Sequence, residues 1–144
     1  MEPENLQQNI IFLIGAARDI IYKKVTEIFR RTNTKVTIEQ FTILTILFYE
    51  NGLSQQEIAN RVNRDKTTIT RILNNMEKND LVVRIPDKSD KRINYIHSTH
   101  KGKAHQHELA SATGGIYMEA IKNFDAESLK QFGGFLNQLI KNLK

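Results

Sequence analysis

The stretch LSQQEIANRVNRDKTTITRILNNMEK occupies residues 53–78 and decides the fold. Ser54 followed by Glu57 has the pattern of a capping box, which predicts a short helix that ends near Val62. Asp65 is then expected to cap a further helix, whose apolar residues recur at helical spacing. These apolar residues are Ile69, Ile72, Leu73 and Met76. The stretch therefore predicts two helices joined by one tight turn.

Two β-rich runs follow, at residues 82–85 and 94–97. The residues between them, Pro86 to Arg92, are basic and turn-forming, so the sequence predicts a two-stranded hairpin. Two helices and a hairpin in this order predict a winged helix-turn-helix. The predicted fold class is mainly α with a small β-hairpin wing (α+β).

Helices are also predicted on both sides of this unit. Thr37 and Gln40 have the pattern of another capping box, which predicts a helix that ends near Gly52. The residues of this helix expected to face a core are Phe41, Ile43, Leu44, Leu47 and Phe48. A long apolar stripe predicts a first helix from Leu6 to about Arg31. After the hairpin, Thr99 and Asp125 are expected to cap a fifth helix that ends near Phe124 and a sixth with a coiled-coil-like seam.

Two glycine pairs, Gly114-Gly115 and Gly133-Gly134, fall inside the last two helical patterns. Each glycine costs about 1 kcal/mol relative to alanine in a helix, so something should compensate for them. Two interpretations stay open, a local break or kink and a tight approach between the helices of two subunits.

Composition and charge reduce the number of possible functions. The chain has 144 residues, a net charge of +5 and no cysteine, which excludes disulfides, zinc-thiolate sites and thiol chemistry. Residues 61–103 carry 11 Lys and Arg against 5 Asp and Glu, so the positive excess lies in one block, as expected of a polyanion-binding protein. The amino terminus is acidic and no apolar run could span a membrane, which predicts one cytoplasmic domain without a membrane partner. We find no phosphate-binding glycine loop, paired-carboxylate motif or nucleophile signature, so an enzyme is not expected.

The outer face of the predicted fourth helix suits the major groove of double-stranded DNA. Arginine can bond guanine, asparagine can bond adenine, and threonine offers a hydroxyl and a methyl group. The predicted DNA-binding residues on and beside this face are Lys66, Thr67, Thr68, Thr70, Arg71, Asn74 and Lys78. At the hairpin tip, Lys88, Lys91 and Arg92 are expected to reach the minor groove or the backbone. Asp90 is expected to pair with a nearby Arg or Lys and so hold the wing against the helix-turn-helix.

Two other functions remain open at this point. The four histidines, His97, His100, His105 and His107, suggest a metal-responsive regulator, but two histidines two positions apart on a helix diverge by about 200°. No metal or other cofactor is therefore expected. The winged helix also serves in protein- and RNA-binding modules without operator specificity.

The order of these motifs resembles the MarR family of winged-helix regulators over nearly the whole chain. The matching segments are 37–41, 53–59, 67–73, the wing 87–92, and 98–102 at the start of the fifth helix. One departure is that such proteins usually carry a glycine before the first wing strand, where this chain has Asn79-Asp80. Both residues tolerate the left-handed conformation that this turn needs.

The resemblance implies a homodimer whose terminal helices interdigitate. The expected organisation is a single domain, 1–144, with a DNA-binding lobe at 33–98 and a dimerisation region at 5–32 and 99–144. The residues expected to form the dimer contact are Leu6, Ile10, Leu13, Leu129, Phe132, Leu136, Leu139 and Leu143. The resemblance further implies a ligand-responsive repressor of a pseudo-palindromic operator, with a small-molecule pocket between the dimer helices and the lobe.

Overall fold

The computed structural model describes residue 5 and residues 9–144. Nine elements follow one another in these residues: α1 (Ile10–Thr32), α2 (Ile38–Tyr49), β1 (Leu53–Ser54), α3 (Gln55–Val62), α4 (Lys66–Lys78), β2 (Val82–Pro86), β3 (Asn94–Ser98), α5 (His100–Ile121) and α6 (Ala126–Leu143). The chain divides into two compact units, of which the first ends at Thr113 and the second is Gly114–Lys144. Among the described residues, no helix is both long and apolar enough to cross a membrane.

The predicted helix caps are confirmed. The Thr37 hydroxyl accepts a hydrogen bond from the backbone of Gln40, whose side chain accepts one from the Thr37 backbone. Ser54 and Glu57 form the same reciprocal pair at the start of α3. Such boxes satisfy backbone N–H groups that the first helical turn leaves without partners.

The sheet has three strands rather than the two predicted. β3 lies in the centre of the order β1-β3-β2, and both pairings are antiparallel. In the additional pair, Leu53 lies opposite Ile96 in the register. The short β1 therefore joins the start of α3 to the wing, and it was missed because two residues carry no alternating pattern.

The core of the first unit lies between α2, α3, α4 and the sheet. Its fully buried side chains include Ile43, Leu44, Leu47, Ile58, Ile69, Leu73, Met76 and Ile96. Phe41 is partly buried against this core and makes an edge-to-face contact with Phe29 at 5.6 Å between ring centroids. The prediction for Phe48 is wrong, because that side chain is 62% exposed at the carboxyl end of α2.

Residues with positive φ lie at the turns where the sequence predicts them. Gly52 has φ 79°, and Asp80 has φ 58° before the wing, so the departure at Asn79-Asp80 does keep a left-handed turn. α5 ends at Ile121, slightly before the predicted end, and Asn123 follows at φ 72°.

The described part of the terminal helices leaves much apolar surface uncovered. α1 buries only Phe29, and α6 buries no residue. α5 and α6 continue through the two glycine pairs, which therefore end neither helix. A Cβ at any of these four glycines would meet nothing within 4 Å in the described chain. A close approach between subunits at the glycines stays a prediction.

Candidate nucleic-acid interface

The recognition surface, which we define as the outward side of α4 from Lys66 to Lys78, is placed by the burial of the opposite side. Ile69, Leu73 and Met76 are fully buried, and Ile72 is 8% exposed. Because these residues recur every three or four positions, the remaining positions must face outward. The sequence-predicted residues Lys66, Thr67, Arg71, Asn74 and Lys78 are all exposed, whereas Thr68 and Thr70 are half-buried.

The amino terminus of α4 is fixed by Asp65. Its carboxylate accepts hydrogen bonds from the Thr68 backbone at 2.9 Å and from the Thr68 hydroxyl at 2.7 Å. These two bonds lower the pKa of Asp65 below its usual value, and the bond from the Thr68 hydroxyl has the larger effect. The Thr68 hydroxyl proton is thus used within the cap.

Hydrogen bonds between side chains tie α4 to α2, α3 and β2. Gln55 on α3 donates to the Thr70 hydroxyl at 2.5 Å, and the buried Gln40 on α2 donates to the Asn75 side chain at 2.7 Å. Arg84 on β2 donates to the Asn74 side chain at 2.8 Å. The side chains of Lys66, Thr67, Arg71 and Lys78 make no hydrogen bond or ion pair within the described part of the chain. The long cations of α4 and Thr67 are therefore available to a ligand, while Thr70, Asn74 and Asn75 are held by neighbouring elements.

The wing tip folds on itself. The Asp87 carboxylate accepts from the backbone N–H groups of Asp90 and Ser89, which hold the pKa of Asp87 below its usual value. Lys88 and Lys91 are exposed beside this turn.

Asp90 pairs with a nearby arginine as predicted, but the pair does not hold the wing against the helix-turn-helix. Its carboxylate pairs with Arg92 in the same turn, at 3.0 Å, rather than with a residue of the helix-turn-helix. This pair lowers the pKa of Asp90 and raises that of Arg92. Arg92 itself stays 91% exposed. Arg84 instead connects the wing to α4, through a 2.9 Å ion pair with Glu77 as well as through Asn74.

Two further basic residues escaped the sequence-based reasoning. Arg64, in the turn before α4, lines with Arg71 a cleft of about 480 Å³ that also includes Thr37 and Glu39. Arg84 lies on β2 and is the second. Both lie in the basic block 61–103, which was the available signal. No spacing rule, however, singles out these two arginines among the eleven basic residues there.

Among the described residues, no group of three or more His, Cys, Asp or Glu side chains is placed to hold a metal ion.

The fold and this surface define the class: a winged helix-turn-helix protein whose α4 is the candidate DNA-reading helix. Comparisons with known proteins agree. Residues 36–93 match the sequence model of the MarR family. The chain is 26% identical over 140 residues to the HTH-type transcriptional regulator MgrA of Staphylococcus aureus, covering 96% of this chain and 92% of that protein. The winged-helix part of the chain is therefore similar to the MarR family, and the whole chain is similar to transcription regulators.

Solved structures of similar fold cover nearly the whole chain. CouR from Rhodococcus jostii RHA1, bound to p-coumaroyl-CoA, has a TM-score of 0.83 at 19% identity and covers 95% of both chains. PcaV from Streptomyces coelicolor, in complex with its natural ligand, has a TM-score of 0.77 at 18% identity with 100% of both chains covered. At these identities the likeness concerns the fold alone. The transcriptional regulator SlyA reaches 25% identity and a TM-score of 0.77 over 94% of both chains.

Proposed function

We propose that this regulator binds a pseudo-palindromic operator in double-stranded DNA as a cytoplasmic homodimer, and that a small-molecule effector releases it, so that it acts as a repressor. In this proposal residues 33–98 are the DNA-binding lobe of one 1–144 domain. Residues 5–32 and 99–144 form its dimerisation region.

The observation that carries the proposal is the division of α4 into two faces. Its inner face is buried in the core, and its outer face offers Lys66, Thr67, Arg71 and Lys78 without partners in the described chain. Glu77, the carboxylate of this helix, is neutralised by Arg84. A helix that presents unpaired cations and hydroxyls beside a basic wing tip has the chemistry needed to meet phosphates and base edges.

Dimerisation is supported by the uncovered apolar residues. Ile10 is 60% exposed, Phe132 58% and Leu143 77%, while Leu13 is exposed and Leu129, Leu136 and Leu139 are half-buried. Leu6 lies outside the described residues. Apolar side chains in such continuous stripes are typical of helices that pack against a partner. A dimer would place its two copies of α4 on one side of a DNA duplex, about one helical turn of DNA apart.

An effector site is supported by a cavity of about 450 Å³ in the first unit. Leu44, Leu47 and Phe48 supply apolar walls, and Lys103 and His107 supply polar groups. This size and this mixture are usual for small-molecule sites. The ligand-bound relatives CouR and PcaV further support effector control.

The test is fluorescence anisotropy with duplex from the promoter region of the protein's own operon, measured against scrambled duplex. Wild type should prefer the operon duplex. Arg71→Ala should lose about 1–3 kcal/mol of binding and relax base preference. If Arg71→Ala bound the operator normally, the assignment of the reading face would be wrong, and equal affinity of wild type for both duplexes would favour a protein- or RNA-binding module.

Lys88→Ala should weaken binding to every duplex alike and reduce the salt slope by about 1, because it removes a phosphate contact. Lys122→Ala removes the same charge outside the basic block and serves as the matched control. A loss confined to one sequence, or an equal loss in Lys122→Ala, would contradict the assigned role of Lys88.

A further inference from the structure

Arg84 occupies an unusual position between the wing and the recognition surface. It lies on the edge strand β2 opposite Ile96, a residue of the central strand with no exposed surface, so its backbone is paired with the centre of the sheet. Its side chain is only 19% exposed. The guanidinium donates to Glu77 at 2.9 Å and to the Asn74 carbonyl oxygen at 2.8 Å. Both acceptors belong to α4, one turn apart.

The hydrogen bond from Arg84 fixes the orientation of the Asn74 side-chain amide. Arginine has donors and no acceptor, so the atom that faces it must be the carbonyl oxygen of Asn74 and not its NH₂ group. Turning the amide by 180° would set donor against donor. The NH₂ group is therefore directed away from Arg84, and the side chain offers its donor and acceptor in one order. An amide held in this way demands a base with a matching order, whereas a free amide could turn to suit another base.

Glu77 holds the Arg84 side chain in this position. The carboxylate balances the guanidinium charge and also accepts from the Arg84 backbone N–H at 3.3 Å. A neutralised, two-partner arginine has less tendency to turn towards a DNA phosphate than Lys88 or Arg71.

We propose that Arg84 is a positioning residue for sequence recognition: it holds the Asn74 amide in one orientation and so sets the base preference at the base pair that Asn74 faces. The proposal rests on the proposed function of α4 as the helix that reads the major groove. Arg84 itself contacts no base.

The experiment selects bound duplexes from a random pool with the full-length protein and then measures affinities for single-base variants of the selected site. Asn74→Ala identifies the base pair at which preference disappears, where wild type should discriminate by about 5- to 150-fold. Arg84→Ala should lose most of the discrimination at that same base pair. The double variant should match Asn74→Ala there to within about twofold, because the two residues act as one unit.

Arg92→Ala is the matched control, since it also removes an arginine from the wing but one that is paired with Asp90. It should weaken all duplexes alike and leave discrimination at the Asn74 base pair within about twofold of wild type. Thermal unfolding checks that each variant is folded. If Arg84→Ala is not, Arg84→Lys replaces it, because lysine keeps a charge for Glu77 but lacks the fork that reaches both partners, and the same local loss is expected.

Retention of that preference in a folded Arg84 variant, or a loss spread evenly over all base pairs, would overturn the inference and leave Arg84 a structural tie. A second result would also overturn it: Asn74→Ala leaves every base preference unchanged, whereas Arg71→Ala alters one. In that case the proposed function of α4 would still stand. A wild-type protein that prefers no duplex would overturn the proposed function itself.

Discussion

Gly102→Ala should destabilise the protein although alanine is the better helix former. Gly102 is buried in the first turn of α5, and a Cβ there would lie 2.1 Å from the Leu81 carbonyl oxygen and 3.2 Å from Leu44 Cδ2. Even close carbon–oxygen contacts in proteins stay at about 3.3 Å. The start of α5 would therefore have to move by roughly 1 Å away from the residue that leads into the wing.

That movement would disturb hydrogen bonds as well as packing. The Thr99 backbone donates to the Leu81 carbonyl at 3.1 Å, and the Thr99 hydroxyl accepts from Gly102 at 2.9 Å. Overpacking costs about 1–3 kcal/mol and each weakened hydrogen bond about 0.5–1.5 kcal/mol, whereas helix propensity returns about 1 kcal/mol. The free energy of unfolding should fall by about 1–5 kcal/mol on this reasoning.

Urea unfolding at one fixed protein concentration measures this change. Gly15→Ala is the matched control, because a Cβ there meets nothing within 4 Å in the described chain. It should gain up to about 1 kcal/mol from helix propensity. A Gly102→Ala protein with an unchanged or higher urea midpoint and an unchanged slope would refute the packing of α5 against Leu81.

Two further predictions concern α4. Leu73→Ala should lower the free energy of unfolding by about 2–5 kcal/mol, because Leu73 has no exposed surface; a loss under 1 kcal/mol in urea unfolding would contradict its place in the core. The pKa of Asp65 is lowered in the folded protein, so its ionised carboxylate stabilises α4 above the unfolded-state pKa, and this contribution is lost as the pH falls through the folded-state pKa. Asp65→Asn keeps a cap without titrating, so its urea midpoint should fall less than that of wild type between about pH 5 and pH 2; parallel pH profiles would refute this role.

The sequence predicts the helix starts well because caps are local. Thr37, Ser54, Asp65 and Asp125 each bond a backbone N–H group three residues later, so the information lies within one turn. The inner face of α4 is equally local, since its apolar spacing alone defines it.

What the sequence does not predict depends on residues far apart in the chain. β1 exists because Leu53 meets Ile96 across 43 positions, and the tie from Arg84 to Asn74 depends on how β2 packs beside α4. Asp90 does pair with a nearby arginine, but this partner is Arg92 in the same turn, so the pair does not connect the wing to the helix-turn-helix as predicted. Phe48 continues an apolar pattern, but periodicity does not reveal where the covering layer ends.

The recognition surface combines two kinds of side chain that should contribute differently to binding. Thr70 and Asn74 are already held by Gln55 and Arg84, so they lose little conformational entropy when DNA arrives and adjust poorly to a wrong base. Lys66 and Lys78 have no such restraint in the described chain, and each can follow a phosphate at some cost in side-chain entropy. Base selectivity should therefore depend on contacts within the protein behind the reading face, whereas affinity and its salt dependence should depend on the free cations in front of it.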